Sequence, residues 1–287
     1  CPVPEMMYGS KPTDGGHLLL SLEEKNKLLV LEPEAEPWIR PFLNADEFLY
    51  GVPRFCLWLE SCPANALRRM PNVLRRVEGV RGMRAASTKA PTRERANFPS
   101  LFGEIRQPQT AYLLVPAHTS ENRRYIPLGY MAPEVICGNA NFAIPDATLY
   151  HFGVLTSGMH NVWVRYVAGR LESRYRYSAQ IVYNNFPWPT APTEKQTAEL
   201  EAAAQSVLDA RAAEFERDRV TTLATLYDPD LMPPTLVKAH QALDRAVDSA
   251  YVADARELGF KGKWSSDRER VAFLFSLYQR LTSLVST

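Results

Sequence analysis

Three amphipathic stripes fill the last hundred residues of the chain. The first opens with Thr193 and Gln196 at capping-box spacing and places Leu200, Ala203, Ala204, Val207 and Leu208 on one face of a helix. The second follows Pro233-Pro234 and carries Leu236, Ala239, Leu243, Ala246, Val247 and Ala250. The third starts at Ser266, has Glu269 at the box position, and lines up Val271, Leu274, Phe275, Tyr278 and Leu281. No strand pattern falls among them. Upstream the texture differs: short β-prone runs at 55–59 and 111–115 alternate with Pro and Gly punctuation. Two upstream stretches, 68–84 and 155–171, carry helical periodicity. The pattern predicts an α+β chain, with a mixed α/β domain over 1–190 followed by a small helical C-terminal domain over 191–287. The segment PWPTAP (187–192) reads as the hinge, because its prolines exclude both helix and inner strand.

Composition adds bounds rather than identity. A chain of 287 residues with 46% apolar and 23% charged positions can bury a core and is not globally disordered. Its 22 prolines exceed the usual roughly 5% and predict many loops and extended segments. No apolar run approaches the ~20 residues of a membrane helix; the longest, 111–117, is broken by Pro116. Cys1, Cys56, Cys62 and Cys137 show no CxxC spacing and have no paired histidines nearby. They read as free thiols of a cytoplasmic protein, and no metal site is expected. There is no secretory leader, and the opening CPVPEMMYGS has no start-like character. The sequence therefore reads as a piece of a longer polypeptide.

Charge changes the picture. The net charge is +1, which on its own argues against nucleic acid. Yet residues 1–67 carry 5 basic and 10 acidic side chains, 68–124 carry 12 and 4, and 191–287 carry 12 and 15. A block of net +8 is hidden in a neutral total. It fits phosphate contact, and it equally fits a solvated basic helix face.

Catalytic motifs are missing. GxGxxG, a P-loop, GxSxG and HExxH are all absent. A Cys137–His151 nucleophile pair has no local support, and His17, His118, His151, His160 and His240 are scattered. The run Asn184-Asn185-Phe186-Pro187-Trp188 superficially resembles the Asn/Asp-Pro-Pro-aromatic motif of amino-methyltransferases, but Phe186 stands where proline is required. It reads better as a packed aromatic turn.

The most informative stretch is GRLESRYRYS (169–178). A helix ends near Gly169 as a C-cap, and an extended run follows. Residues 172, 174 and 176 then share one face, presenting Glu172, Arg174 and Arg176, while Ser173, Tyr175 and Tyr177 face the other way. In a major groove, Arg pairs with guanine O6 and N7, and Glu accepts from cytosine N4, so one C·G pair offers both partners. A plain surface Glu–Arg ion pair fits the same pattern.

Those residues, with DGGHLLLS (14–21), RPFLNADEFL (40–49), LFGEIRQP (101–108), IPDATLYHFGVLTSGMH (144–160) and IVYNNFPWP (181–189), resemble the MmeI-like family. These are adenine-N6 DNA methyltransferases of single-chain restriction–modification systems. The matched blocks span most of the region corresponding to the family's target recognition domain. LATLYDPDLMPPTLVKAHQALDRAVDSAY (223–251) and RVAFLFSLYQRL (270–281) resemble its helical C-terminal region. The resemblance implies that Glu172 and Arg174 read the base pair 3′ of the methylated adenine. In the family, Glu-x-Arg goes with cytosine there and Lys-x-Asp with guanine. It further implies neighbouring base contacts by Ala140 with Arg176, and by Asn139. The basic block of Arg68, Arg69, Arg75, Arg76, Arg81 and Arg84 becomes a set of candidate phosphate contacts, which position a protein without reading sequence.

The family's nuclease, S-adenosylmethionine and Asn-Pro-Pro-aromatic motifs are absent from this chain. The resemblance therefore implies an upstream methyltransferase domain that holds the cofactor, none being expected on this chain, with double-stranded DNA as the partner. Two other readings stay open: a module binding an acidic protein partner, and a hydrolase built on Cys137 or a histidine.

Overall fold

The fold of residues 3–285 is described by a computed structural model, which places Cys1 outside the described residues. The described residues form two compact units, one of residues 7–114 with 130–143, the other of 3–6, 115–129 and 144–285.

The first unit is built on a four-stranded sheet in the order Leu19–Ser21, Arg54–Leu57, Ile39–Leu43, Ile136–Cys137. The first two pairings are antiparallel and the last is parallel. The 55–59 run thus contributes Phe55 to Leu57 to a strand, in keeping with its aromatic and apolar content. The predicted 68–84 helix starts at Pro71 and runs to Ala85, after a separate short helix Ala64–Leu67, since proline lacks the N–H a continuing helix needs but suits a first turn. Val73, Val77 and Val80 recur at helical spacing and are buried in one core with Leu18, Leu20, Phe42 and Leu57. The buried carboxylate of Glu32 accepts the Val73 N–H at 3.1 Å, placing negative charge at the helix's positive end. A second sheet, Met7–Tyr8, Asn141–Pro145, Tyr112–Pro116, Gly129–Met131, contains strands through which the chain passes between units.

The second unit is mainly helical. The predicted 155–171 helix is two helices, Leu149–Thr156 and Gly158–Val167, separated at Ser157, whose extended backbone and side chain cap the second. Gly169 is not a cap; the helix ends at Val167 and Gly169 begins a strand. The Leu149–Thr156 helix is buried on every side from Tyr150 onward, as its nearly all-apolar sequence requires. A Cβ on Gly153 would stand 2.6 Å from Leu200 Cδ2 and 3.1 Å from Ala204 Cβ, so glycine lets this helix approach the next one.

The three C-terminal stripes form Glu194–Arg217, Pro234–Ala250 and Asp267–Val285. The Thr193–Gln196 capping box forms, and Ser266 Oγ accepts the Glu269 N–H. The third stripe is displaced from expectation: Val271 and Leu274 are buried, but Phe275 is 41% exposed and Phe273 and Leu277 take its place inside. The segment 187–192 has neither helix nor strand, yet it is held firmly. Trp188 packs against Tyr150, His151, Tyr183 and Phe186, and Asp254 accepts the Thr190 N–H at 3.1 Å. Packing therefore groups residues 144–190 with the C-terminal helices, a different division from the sequence boundary at 190, because the buried 149–167 helices and the C-terminal stripes share one core.

Candidate functional site

The GRLESRYRYS segment folds as a β-hairpin, Gly169–Leu171 against Arg174–Arg176, and not as the single extended run expected. A two-residue turn, Glu172-Ser173, joins the strands, and Glu172 adopts the left-handed region at φ 57°. That position favours glycine, asparagine or aspartate. A glutamate held there against its backbone preference directs attention to its side chain.

A third strand, His118–Thr119, pairs with Arg174–Arg176. Directly opposed residues project to the same face of a sheet. One face therefore carries Leu171 beside Arg174, and Arg176 between Gly169 and His118. The two arginines, Glu172 and Leu171 are all exposed. The opposite face carries Arg170, Tyr175 and Thr119, with Tyr175 and Thr119 buried. The alternation expected from sequence holds for residues 174 to 177, while Ser173 is exposed in the turn.

The buried face is anchored. The Arg170 guanidinium lies 3.9 Å from the centroid of the Tyr175 ring, a cation–π contact. Tyr177 Oη meets His160 Nε2 at 2.9 Å, and the Tyr177 N–H donates to Ala117 O at 2.9 Å. Phe186 stands edge-on to His160 at 4.5 Å, so the NNFPW run is the packed aromatic turn expected of it.

On the exposed face, Arg174 Nη2 donates to Glu172 Oε2 at 2.7 Å. The surface ion pair left open by the sequence is present. Both partners are solvated, so exchanging this contact for others costs little. Burial, then the positive charges of Arg176 and Arg174, hold the His118 imidazole below its ordinary range and favour its neutral form. His118 was reachable from sequence only as one scattered histidine; its place beside Arg176 depends on a pairing across more than fifty residues.

Asn139 and Ala140 lie in the other unit, in a tight turn between Ile136–Cys137 and Asn141–Pro145. Gly138 N–H donates to Leu43 O at 2.8 Å, and Ala140 N–H donates to Asn44 Oδ1 at 3.1 Å. A Cβ on Gly138 would lie 2.1 Å from that same oxygen, so only glycine allows the turn to sit on Asn44. Asn139 is exposed and Ala140 half-buried.

The basic block separates into distinct roles. Arg68 and Arg69 are exposed, as is Arg75, which donates to Asn72 Oδ1 at 2.8 Å. Arg81 lies 3.3 Å from Glu78 on the exposed side of its helix. Arg76 is half-buried and donates to His17 O and Glu24 Oε1 at 3.0 and 2.7 Å, bracing the unit. Arg84 is a correction. It is fully buried and donates to the carbonyls of Thr13, Arg95, Phe98, Pro12 and Leu101, leaving nothing for a phosphate. Helical position alone did not reveal that its face points into the loop at 95–101.

Cys137 is fully buried, and burial pushes its thiol up to about 12. A thiol so protected is protonated at neutral pH and cannot serve as a hydrolytic nucleophile. No helix is long and apolar enough to cross a membrane among the described residues.

Two family models match successive parts of the chain. Residues 1–190 match the family described as "MmeI, target recognition domain", and residues 192–286 match "MmeI, C-terminal domain". The chain is 36% identical over 280 residues to "DNA methyltransferase A" of Bacillus subtilis (strain 168), covering 98% of this chain and 30% of that protein. A solved structure of the Type IIL restriction-modification enzyme MmeI in complex with DNA superposes with a TM-score of 0.91 at 47% identity. It covers 99% of this chain and 36% of the other.

Proposed function

This chain belongs to the MmeI family, spanning its target recognition and C-terminal regions, and from that premise we propose that it reads the base sequence of double-stranded DNA for an adenine-N6 methyltransferase of a restriction–modification system. The observation that carries the reading is the hairpin. It projects a solvated carboxylate–guanidinium pair from a face whose reverse side is locked by Tyr175 and Tyr177. A rigid mount and a free polar edge are what base readout requires. Glu172 accepts from cytosine N4 while Arg174 donates to guanine O6 and N7, and Arg176, Asn139 and Ala140 meet neighbouring bases. Arg68, Arg69, Arg75 and Arg81 approach phosphates and fix register without reading sequence.

Methyl transfer is assigned to a separate upstream domain. S-adenosylmethionine does not fit this chain: among the described residues the strand pairing that is parallel, Phe42 with Ile136, leads into the Asn44-capped helix Ala45–Tyr50 without a glycine-rich turn. A duplex DNA substrate supports a cytoplasmic location. The helical C-terminal region, with a net charge of −3, acts as a brace rather than a reader.

The test is duplex binding by the natural-length protein across a salt series, followed by sequencing of duplexes retained from a randomised pool. Counterion release requires log affinity to fall linearly with log salt at about −0.9 per phosphate contacted. A retained pool that shows a fixed cytosine supports the reading; binding without any sequence enrichment contradicts it.

A further inference from the structure

Leu171 is 44% exposed at the tip of a hairpin otherwise lined with charge. Its Cα is paired with that of Arg174, so the two side chains leave the sheet on the same side, and it adjoins Glu172 in sequence. Gly169, two residues earlier on this face, carries no side chain, and a Cβ built there meets nothing within 4 Å. The face thus holds an acceptor, a donor fork and one apolar group, with an open place beside Arg176.

The groove edge of a C·G pair presents guanine N7 and O6, then cytosine N4, then cytosine C5. The first three atoms are met by Arg174 and Glu172 under the proposed function. The fourth is carbon, and no polar group can bond to it. We propose that Leu171 covers the C5 edge of the cytosine read by Glu172 and Arg174, making the site accept, and bind more tightly, a cytosine methylated at C5. The positive charge of Arg174 and Arg176 draws this face to DNA, and the leucine then loses water against the pyrimidine edge rather than against another protein surface. This inference rests on base reading by the hairpin and adds to it the tolerance of a modified base.

The experiment uses the natural-length protein and the duplex most enriched from a randomised pool, synthesised with either cytosine or 5-methylcytosine at the position set by Glu172 and Arg174. The unaltered protein is expected to bind the methylated duplex about fourfold more tightly, the worth of one buried methyl group. Leu171→Ser is expected to lose that preference and still to select cytosine over guanine. Leu171→Val, which keeps an apolar surface, is expected to retain part of it. Thermal unfolding of both variants should be unchanged, because the side chain lies on the surface. A methyl preference that survives in Leu171→Ser, or weaker binding of the methylated duplex by the unaltered protein, overturns the assignment of Leu171 and leaves base reading standing. Failure of the unaltered protein to discriminate cytosine from guanine overturns the base reading and this inference together.

Discussion

Glu172 and Arg174 hold each other at 2.7 Å across the turn of the hairpin, so the two proposed base-reading groups are aligned before either meets DNA. The contact is largely exposed to water and adds little to stability. The backbone at Glu172, at φ 57°, runs against the preference of a side-chain-bearing residue, at a cost of about 1 kcal/mol. Glu172→Gly is therefore expected to raise the unfolding free energy by up to about 1 kcal/mol while abolishing discrimination at the base pair it reads. Denaturant unfolding and duplex competition check the two halves. A destabilised Glu172→Gly would show that the carboxylate serves the fold.

Arg84, like Arg76, is a structural residue in a block whose other arginines are exposed. Its five carbonyl partners hold the 95–101 loop and the 12–13 segment to one helix end. Arg84→Met leaves those buried acceptors unsatisfied and is expected to cost at least ~3 kcal/mol, measured by urea unfolding. If the variant folds, the salt slope of its DNA binding should match that of the unaltered protein.

Arg68, Arg69 and Arg75 are expected to behave oppositely. Each change to glutamine should leave unfolding unaffected within about 0.5 kcal/mol and should reduce the slope of log affinity against log salt by about 0.9. The set of preferred sequences should not change, since phosphate contacts carry no base information. A shifted sequence preference in Arg69→Gln would move that residue from positioning to reading.

His160 ties the hairpin to acid sensitivity. Burial pushes its imidazole down to about 3, while an unfolded histidine titrates near 6.5. The unfolded chain therefore binds the proton first. This contribution to stability is complete above pH 6.5 and is lost as pH falls from there toward 3. His240, lowered in the same direction by burial and by Arg211, adds to the loss. Asp244 and Asp248, whose carboxyls burial raises, act with the opposite sign, so the comparison is made against a variant. His160→Gln is expected to be less stable at pH 7.5 and to show a shallower decline between pH 6.5 and 5 in urea unfolding. An unchanged slope would contradict the neutral, buried state of His160.

Periodicity made the helices legible, because burial along one stripe leaves a repeating mark in sequence. Thr193, Pro233 and Ser266 located three starts correctly, and the alternation of Arg174, Tyr175, Arg176 and Tyr177 gave the face of each side chain. What periodicity could not show were features set by partners distant in sequence. The turn at Glu172 depends on Arg174–Arg176 pairing with His118–Thr119 as well as with Gly169–Leu171, and so local alternation alone predicts one strand where the chain forms a hairpin. The burial of Arg84 depends on a loop more than ten residues away, and its charge alone suggested the surface. Phe275 lost its expected core place to Phe273 because the helix face that packs is chosen by neighbours, not by the largest apolar stripe.

The assignment of Glu172 and Arg174 as readers of one C·G pair is tested most directly by exchanging their chemistry in the natural-length protein. Glu172→Lys combined with Arg174→Asp places a donor and an acceptor in the reverse order on the same hairpin. Duplexes retained from a randomised pool, sequenced for both proteins, should show cytosine at one position for the unaltered protein and guanine at that position for the double variant, with the remaining positions the same. A double variant that folds, binds and still retains cytosine would contradict base reading by this pair.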